Sequence, residues 1–170
     1  MTIEKTILNL SWSDVENACL DIANQMTNSN FKPTVIMPIL WGGIVPARIL
    51  IDIMGWNRDI CRPISARSYK DCKQTDVIDV NIPFDIAGAK EQKVLIVEEI
   101  VDTSRTVKRT LDVLQERGCD LVNVEIATLY RRRSNTLRGF PINFWHKEVK
   151  DEWLIFPWDK HEFIRAMNKD

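Results

Sequence analysis

The chain has 170 residues, 45% hydrophobic and 28% charged, with 23 basic side chains against 24 acidic ones and a formal net charge of −1. That profile fits one globular domain with a sizeable core and excludes a strongly basic nucleic-acid-binding surface. No apolar run approaches the length of a membrane span, and the opening MTIEKTILNL is too polar for a secretory signal.

The first predicted element is a helix over residues 11–27. Ser13-Asp14-Val15-Glu16 has the form of a capping box, Val15, Cys19, Ile22 and Met26 share one face, and Asn28-Ser29-Asn30 closes the helix. Residues 34–40, TVIMPIL, read as a buried strand, although Pro38 removes a ladder donor. Trp41, Gly42 and Gly43 follow, then a helix with Pro46 in its first turn that stops at Gly55. Paired glycines between a strand and a helix let backbone N–H groups approach an anion; a plain tight turn is the structural alternative.

Residues 59–69 read as a third strand. The polar stretch 70–92 reads as a lid, or, since DVIDVNI alternates, as a surface hairpin. The four cysteines, Cys19, Cys61, Cys72 and Cys119, form no CxxC pair and read as packed, reduced thiols of a cytoplasmic protein.

Chemistry concentrates in KVLIVEEIVDTSRT, Lys93 to Thr106. Val94 to Val97 form a continuous apolar run, the mark of a strand buried on both faces in a parallel sheet. Glu98 and Glu99 follow, then Asp102-Thr103-Ser104-Arg105-Thr106, then a helix on Val107, Leu111 and Leu114 that ends at Gly118. Helix N-termini and hydroxyls suit a phosphate, while the acidic pair suits sugar hydroxyls or a Mg²⁺ ion. Together they point to a sugar phosphate; solvated carboxylates beside an ordinary helix cap are the alternative.

Residues 121–130 read as a further parallel strand ending at Arg131, Arg132 and Arg133, where an arginine can donate to a base carbonyl or simply join a solvated cluster. In the tail, Trp153 to Asp159 read WLIFPWD, and an aromatic there can stack on a planar base or fill the core. The last residues form a short amphipathic end.

The stretch from Lys93 to Thr106 resembles the signature of type I phosphoribosyltransferases: a hydrophobic strand, two acidic residues, two apolar residues, then a loop of the Asp-Thr-Gly-x-Thr type. Gly42-Gly43 followed by Pro46-Ala47-Arg48 resembles the pyrophosphate loop of the purine branch. Trp153 to Asp159 is similar to the hood of bacterial xanthine-guanine and archaeal purine enzymes. The resemblance spans roughly residues 34–159 and implies a doubly wound α/β fold with a mainly parallel sheet. It also implies a lid over about 68–92 that begins at Ser68 and Tyr69, and a small hood over about 140–170.

The implied reaction moves a phosphoribosyl group from phosphoribosyl pyrophosphate (PRPP) to N9 of a 6-oxopurine, with Mg²⁺. Carried over, Thr103, Ser104, Arg105 and Thr106 hold the 5′-phosphate, and Glu98 and Glu99 meet the ribose, with Glu99 on the metal. Trp41, Gly42 and Gly43 take the pyrophosphate across a cis Leu40–Trp41 peptide. Trp153, Leu154 and Arg131 or Arg132 meet the purine, and Asp102 handles the proton at N7.

The relatives' assemblies imply a homodimer or homotetramer. Three features depart from the family pattern: Trp41 replaces a cation, Ser104 a glycine, and Glu98-Glu99 a pair that commonly contains Asp. Trp41 and the double Glu favour the other reading, a nucleotide-binding regulator on the same fold without turnover.

Overall fold

In the computed structural model, residues 6–70, 76–86, 88–132 and 141–167 are described. The chain runs β1 (Ile7–Asn9), α1 (Trp12–Ser29), β2 (Val35–Leu40), α2 (Ile44–Met54), β3 (Ile64–Lys70), β4 (Asp76–Asn81), β5 (Val94–Val101), α3 (Arg105–Glu116), β6 (Val124–Arg132), β7 (Phe144–Val149), β8 (Trp153–Ile155) and α4 (Lys160–Met167). Six strands form one sheet in the order β4-β3-β2-β5-β6-β7, parallel except for β4.

The apolar run of β5 explains the layering. Leu95 and Val97 pack towards α1 and α2, while Val94 and Ile96 pack towards α3. A strand covered on both faces has no polar side, which is why its sequence does not alternate. The chain leaves β2 through α2 to reach β3 on one side, and leaves β5 through α3 to reach β6 on the other. β2 and β5 are neighbours, so a crevice opens beyond their carboxyl ends, the place where doubly wound sheets bind ligands. Pro38 fits in this central strand. The β5 ladder of β2 ends at Pro38 and its β3 ladder begins at Ile39, so the missing N–H falls where the strand changes partners.

Several elements differ from the sequence reading. The capping box of α1 sits two residues earlier than Ser13: Ser11 Oγ accepts from the Asp14 N–H at 3.1 Å, and the Asp14 carboxylate accepts from the Ser11 N–H at 2.8 Å. Both Ser11 and Ser13 are followed by an acidic residue three positions on, and the chain uses the first. Arg58–Ile60 is a 3-10 turn rather than the start of β3.

The segment 70–92 is in part a hairpin, with β4 antiparallel to β3. Its later half, grouped by the sequence reading with the lid, is docked on the sheet. Ile82 is 1% exposed, Phe84 and Ile86 pack on the α3-side core, and the Arg117 guanidinium donates to Phe84 O at 3.0 Å. The hairpin tip, and the side chains of Ser68 and Tyr69 within β3, lie outside the described residues. Cys19 is buried in the α1 face, where desolvation pushes its thiol up to about 12.

The strand β7 and the small parallel sheet β1–β8 have no counterpart in the sequence reading. β1 docks beside β8 with Ile7 opposite Trp153 and Asn9 opposite Ile155. This sheet and α4 form a hood over the carboxyl ends of β5 and β6. Among the described residues no helix is long and apolar enough to cross a membrane.

Candidate active site

Two strand-to-helix loops meet in the crevice. The first joins β2 to α2. Its Leu40–Trp41 peptide is cis. A Cβ at Gly42 would overlap the Glu99 carboxyl group, and one at Gly43 would overlap Val97 O and stand 2.9 Å from Ile39 N and O. Position 43 therefore admits only glycine, for lack of space rather than for an unusual φ, while a side chain at position 42 would displace the Glu99 carboxyl group. Trp41 points outward and is 81% exposed.

The second loop joins β5 to α3. Asp102, Thr103, Ser104 and Thr106 line a cavity of about 90 Å³ at the N-terminus of α3, with Glu98 on its other side. The helix N-terminus and the hydroxyls of Thr103, Ser104 and Thr106 come together there, the chemistry of an anion site. Ser104 has φ +60 and is buried, so the residue that stands for the family's glycine holds a left-handed conformation. Arg105 opens α3 with an exposed side chain and does not line this cavity.

The acidic pair sits between the loops. Glu98 Oε1 accepts from the Glu99 N–H at 3.2 Å. Burial, then the charge of Glu99, pushes Glu98 up to about 8. Burial also pushes Glu99 up to about 7, against a hydrogen bond from the Trp158 indole N–H to Oε2 at 2.8 Å; the charge of Asp159 adds to the rise.

A larger cavity of about 450 Å³ extends from Glu99 and Asp102 to the hood, where Trp153 and Leu154 line it. Trp153 is 49% exposed, so it is a wall of this cavity and not core packing. Arg132 lies at its floor. The Arg132 Nε–H meets Asp102 Oδ1 at 2.7 Å, and Nη1 and Nη2 donate to Lys150 O at 2.6 Å and Glu152 O at 2.9 Å.

Arg131 is turned away from the cavity. Its guanidinium lies 3.7 Å from the Trp145 ring centroid and pairs with Glu148 at 3.2 Å. Of the two arginines, only Arg132 reaches the site. The cause is local: Leu129 and Tyr130 both pack into the α1-side core, which breaks the alternation of β6 just before the pair.

The sequence reading missed three residues of the site, two that line the cavity and one that holds Glu99 from outside it. Asp159 adds a third carboxylate, raised by burial and by Glu162. Trp158 reaches Glu99 from the hood. Phe163 on α4 closes the outer side of the cavity. WLIFPWD contains the first two, but nothing in its pattern says which side chains turn towards β5.

Comparison with known proteins places this arrangement. The chain is 24% identical to xanthine phosphoribosyltransferase 1 of Saccharomyces cerevisiae over 195 residues, covering 94% of this chain and 92% of the yeast protein. It is 26% identical to a hypoxanthine-guanine phosphoribosyltransferase of Staphylococcus aureus over 161 residues, 93% and 88% of the two chains. A crystal structure of a purine phosphoribosyltransferase from Pyrococcus horikoshii superposes with a TM-score of 0.71 at 26% identity, covering 89% of this chain and 92% of that one. The phosphoribosyl transferase domain profile matches residues 11–161, which takes in both crevice loops, the acidic pair and the WLIFPWD stretch of the hood, and so the chain belongs to the phosphoribosyl transferase domain family.

Proposed function

We propose that this member of the family is a purine phosphoribosyltransferase that uses PRPP and a 6-oxopurine and releases pyrophosphate. The observation that carries the reading is two adjoining cavities that share Ile100 and Asp102 and between them hold three chemistries. Hydroxyls and the α3 N-terminus line one with Glu98, and Glu99, Asp102, Arg132 and the aromatic hood line the other.

In this reading Thr103, Ser104, Thr106 and the α3 N-terminus hold the 5′-phosphate, with Arg105 adding charge at the loop's outer edge. The Gly42 amide faces the pyrophosphate, the Gly43 N–H holds the turn behind it by donating to Ile39 O at 2.9 Å, and Trp41 stands at the mouth. Trp153 stacks on the base with Leu154 at its edge. As the C1–pyrophosphate bond breaks and the C1–N9 bond forms, the purine gives up a proton, and Asp102 is placed to manage it at N7.

Arg132 supports a 6-oxo substituent over a 6-amino one. A guanidinium carries five N–H donors and no acceptor. Asp102, Lys150 O and Glu152 O occupy three, and the remaining donors match a carbonyl and oppose an amino group.

Mg²⁺ prefers oxygen ligands. Among the described residues no group of three carboxylates or other ligating side chains stands close enough to hold a metal by itself, so Glu99 would meet the ion together with oxygens of PRPP. When bound, the ion supplies charge neutralisation for the departing pyrophosphate.

The test is turnover of PRPP with hypoxanthine, guanine, xanthine and adenine in separate reactions, followed by chromatography of the nucleotides. Product from one or more 6-oxopurines and little from adenine is the expected result. Tight nucleotide binding without product from any base would replace this reading with the regulator, the reading that Trp41 in a cation's place favours.

A further inference from the structure

The Glu99 carboxyl group is enclosed from two sides. The Gly42 backbone lies against one side so closely that a Cβ has no room. From the other side the Trp158 indole N–H donates to Oε2 at 2.8 Å. Trp158 is itself fixed by its neighbours. It stacks on Phe156 at 5.0 Å and 15°, and Trp12, the first residue of α1, tilts against it at 5.8 Å and 50°. Phe156 is 2% exposed and meets the edge of Tyr130 at 5.9 Å, so the stack runs into the core. Trp153, in the same hood, lines the cavity that Glu99 also lines.

We propose that Trp158 is a positioning residue: its indole N–H holds one oxygen of Glu99 and leaves the other to face the ribose or its cation. The inference rests on the reading of the crevice given above. An indole is suited to the task. It is a donor only, it does not ionise, and a hydrogen bond to a charged acceptor is among the stronger ones available. An unheld carboxylate beside Gly42 can rotate; a held one keeps a single orientation for its ligand.

Trp158→Phe keeps a ring to stack on Phe156 and Trp12 and removes the N–H. Its KM for PRPP and the Mg²⁺ concentration at half-maximal rate are expected to rise about tenfold, as suits the loss of one hydrogen bond to a charged group. The purine KM should move less than about twofold at low PRPP-independent stacking loss, with Tm within about 2 °C of the wild type.

A second readout needs no turnover. In nitrogen-15-labelled wild-type protein, the indole N–H signal that is missing from Trp158→Phe should be protected from solvent exchange. It should lose that protection in Glu99→Ala and shift when Mg²⁺ and PRPP are added together. Unchanged PRPP and Mg²⁺ dependence in Trp158→Phe, or an unprotected indole N–H, overturns the proposal. So does an equal rise in both KM values with a fall in Tm, the signature of packing alone. A wild type inactive on every base would sink the purine reading, and the indole signal with calorimetric Mg²⁺–PRPP binding would still decide the role of Trp158.

Discussion

The two crevice loops leave adjacent strands at the same end of the sheet, and both open a helix, yet they are built on opposite terms. The β2–α2 loop is constrained by its neighbours: Gly42 by the Glu99 carboxyl group and Gly43 by the backbone of Ile39 and Val97. The β5–α3 loop is constrained by its own conformation, with Ser104 at φ +60 where the neighbours would admit a glycine as readily. One loop tolerates no added atom, and the other carries an atom its backbone does not favour. The phosphate-facing chemistry follows. Backbone alone lines the first loop, where the Gly43 N–H already donates to Ile39 O at 2.9 Å, and hydroxyls line the second.

The largest expected effect comes from adding a methyl group to the first loop. In Gly43→Ala the new Cβ meets backbone atoms of β2 and β5 that cannot move without opening the sheet. A loss on the order of 4 kcal/mol, or failure to fold, is expected. Gly42→Ala meets only the Glu99 side chain, so its Tm should fall much less while turnover drops sharply as the carboxylate is displaced. Thermal melts and assays of the pair check the contrast; equal stability losses would break it.

Much of this comparison is legible in the sequence, and the rest is not, for physical reasons. The acidic pair, the hydroxyl loop and the paired glycines are local, and periodicity places each at the end of a buried strand. The Trp158–Glu99 hydrogen bond joins residues 59 apart in sequence, so no local pattern encodes it. The choice between Arg131 and Arg132 depends on Leu129 and Tyr130 facing the same core, which two large apolar residues in a row do not announce. β7 was missed because FWHKEV has no clean alternation. It is held by α1 instead, through Gln25 and Trp145 backbone bonds at 2.9 and 3.2 Å and a His146–Asp21 contact at 3.0 Å.

The next effect tests what the second loop does chemically. Asp102→Asn keeps the shape and removes the charge that Arg132 meets. A fall in kcat of about 10²–10⁴-fold is expected, with PRPP affinity largely kept. Lost PRPP affinity at unchanged kcat would move Asp102 from proton handling to substrate binding, and would leave the two loops alike in function.

The buried pair between the loops gives a pH test. Glu98 is pushed up to about 8 from 4.5, so between those values the folded state holds a proton that the unfolded state has released. Its stabilising contribution is complete below about pH 4.5 and is lost as pH rises towards 8; Glu99, pushed up to about 7, acts in the same direction. The ligand-free protein should therefore melt lower at pH 8 than at pH 5. Glu98→Gln, which has no proton to lose, should flatten that slope. At pH 8 it should melt higher than the wild type by on the order of 2 kcal/mol, or about 5 °C. A slope that the substitution leaves unchanged would place its origin elsewhere.

The smallest effect is the one that separates the loops most sharply. Ser104→Gly relieves a left-handed conformation that costs an L-residue about 1–2 kcal/mol and brings back about 0.5–1 kcal/mol of backbone entropy cost. The difference favours glycine by about 0.5 kcal/mol, a rise of about 1–2 °C in Tm. The hydroxyl acts against it, because Ser104 is buried beside the anion cavity and is not without a partner. If Tm rises while PRPP binding weakens, the serine trades backbone strain for a phosphate contact, and the second loop is strained for its ligand's sake. A fall in Tm would mean that the hydroxyl's own bonding outweighs the strain, and the loop would then be set by its neighbours after all, as the first one is.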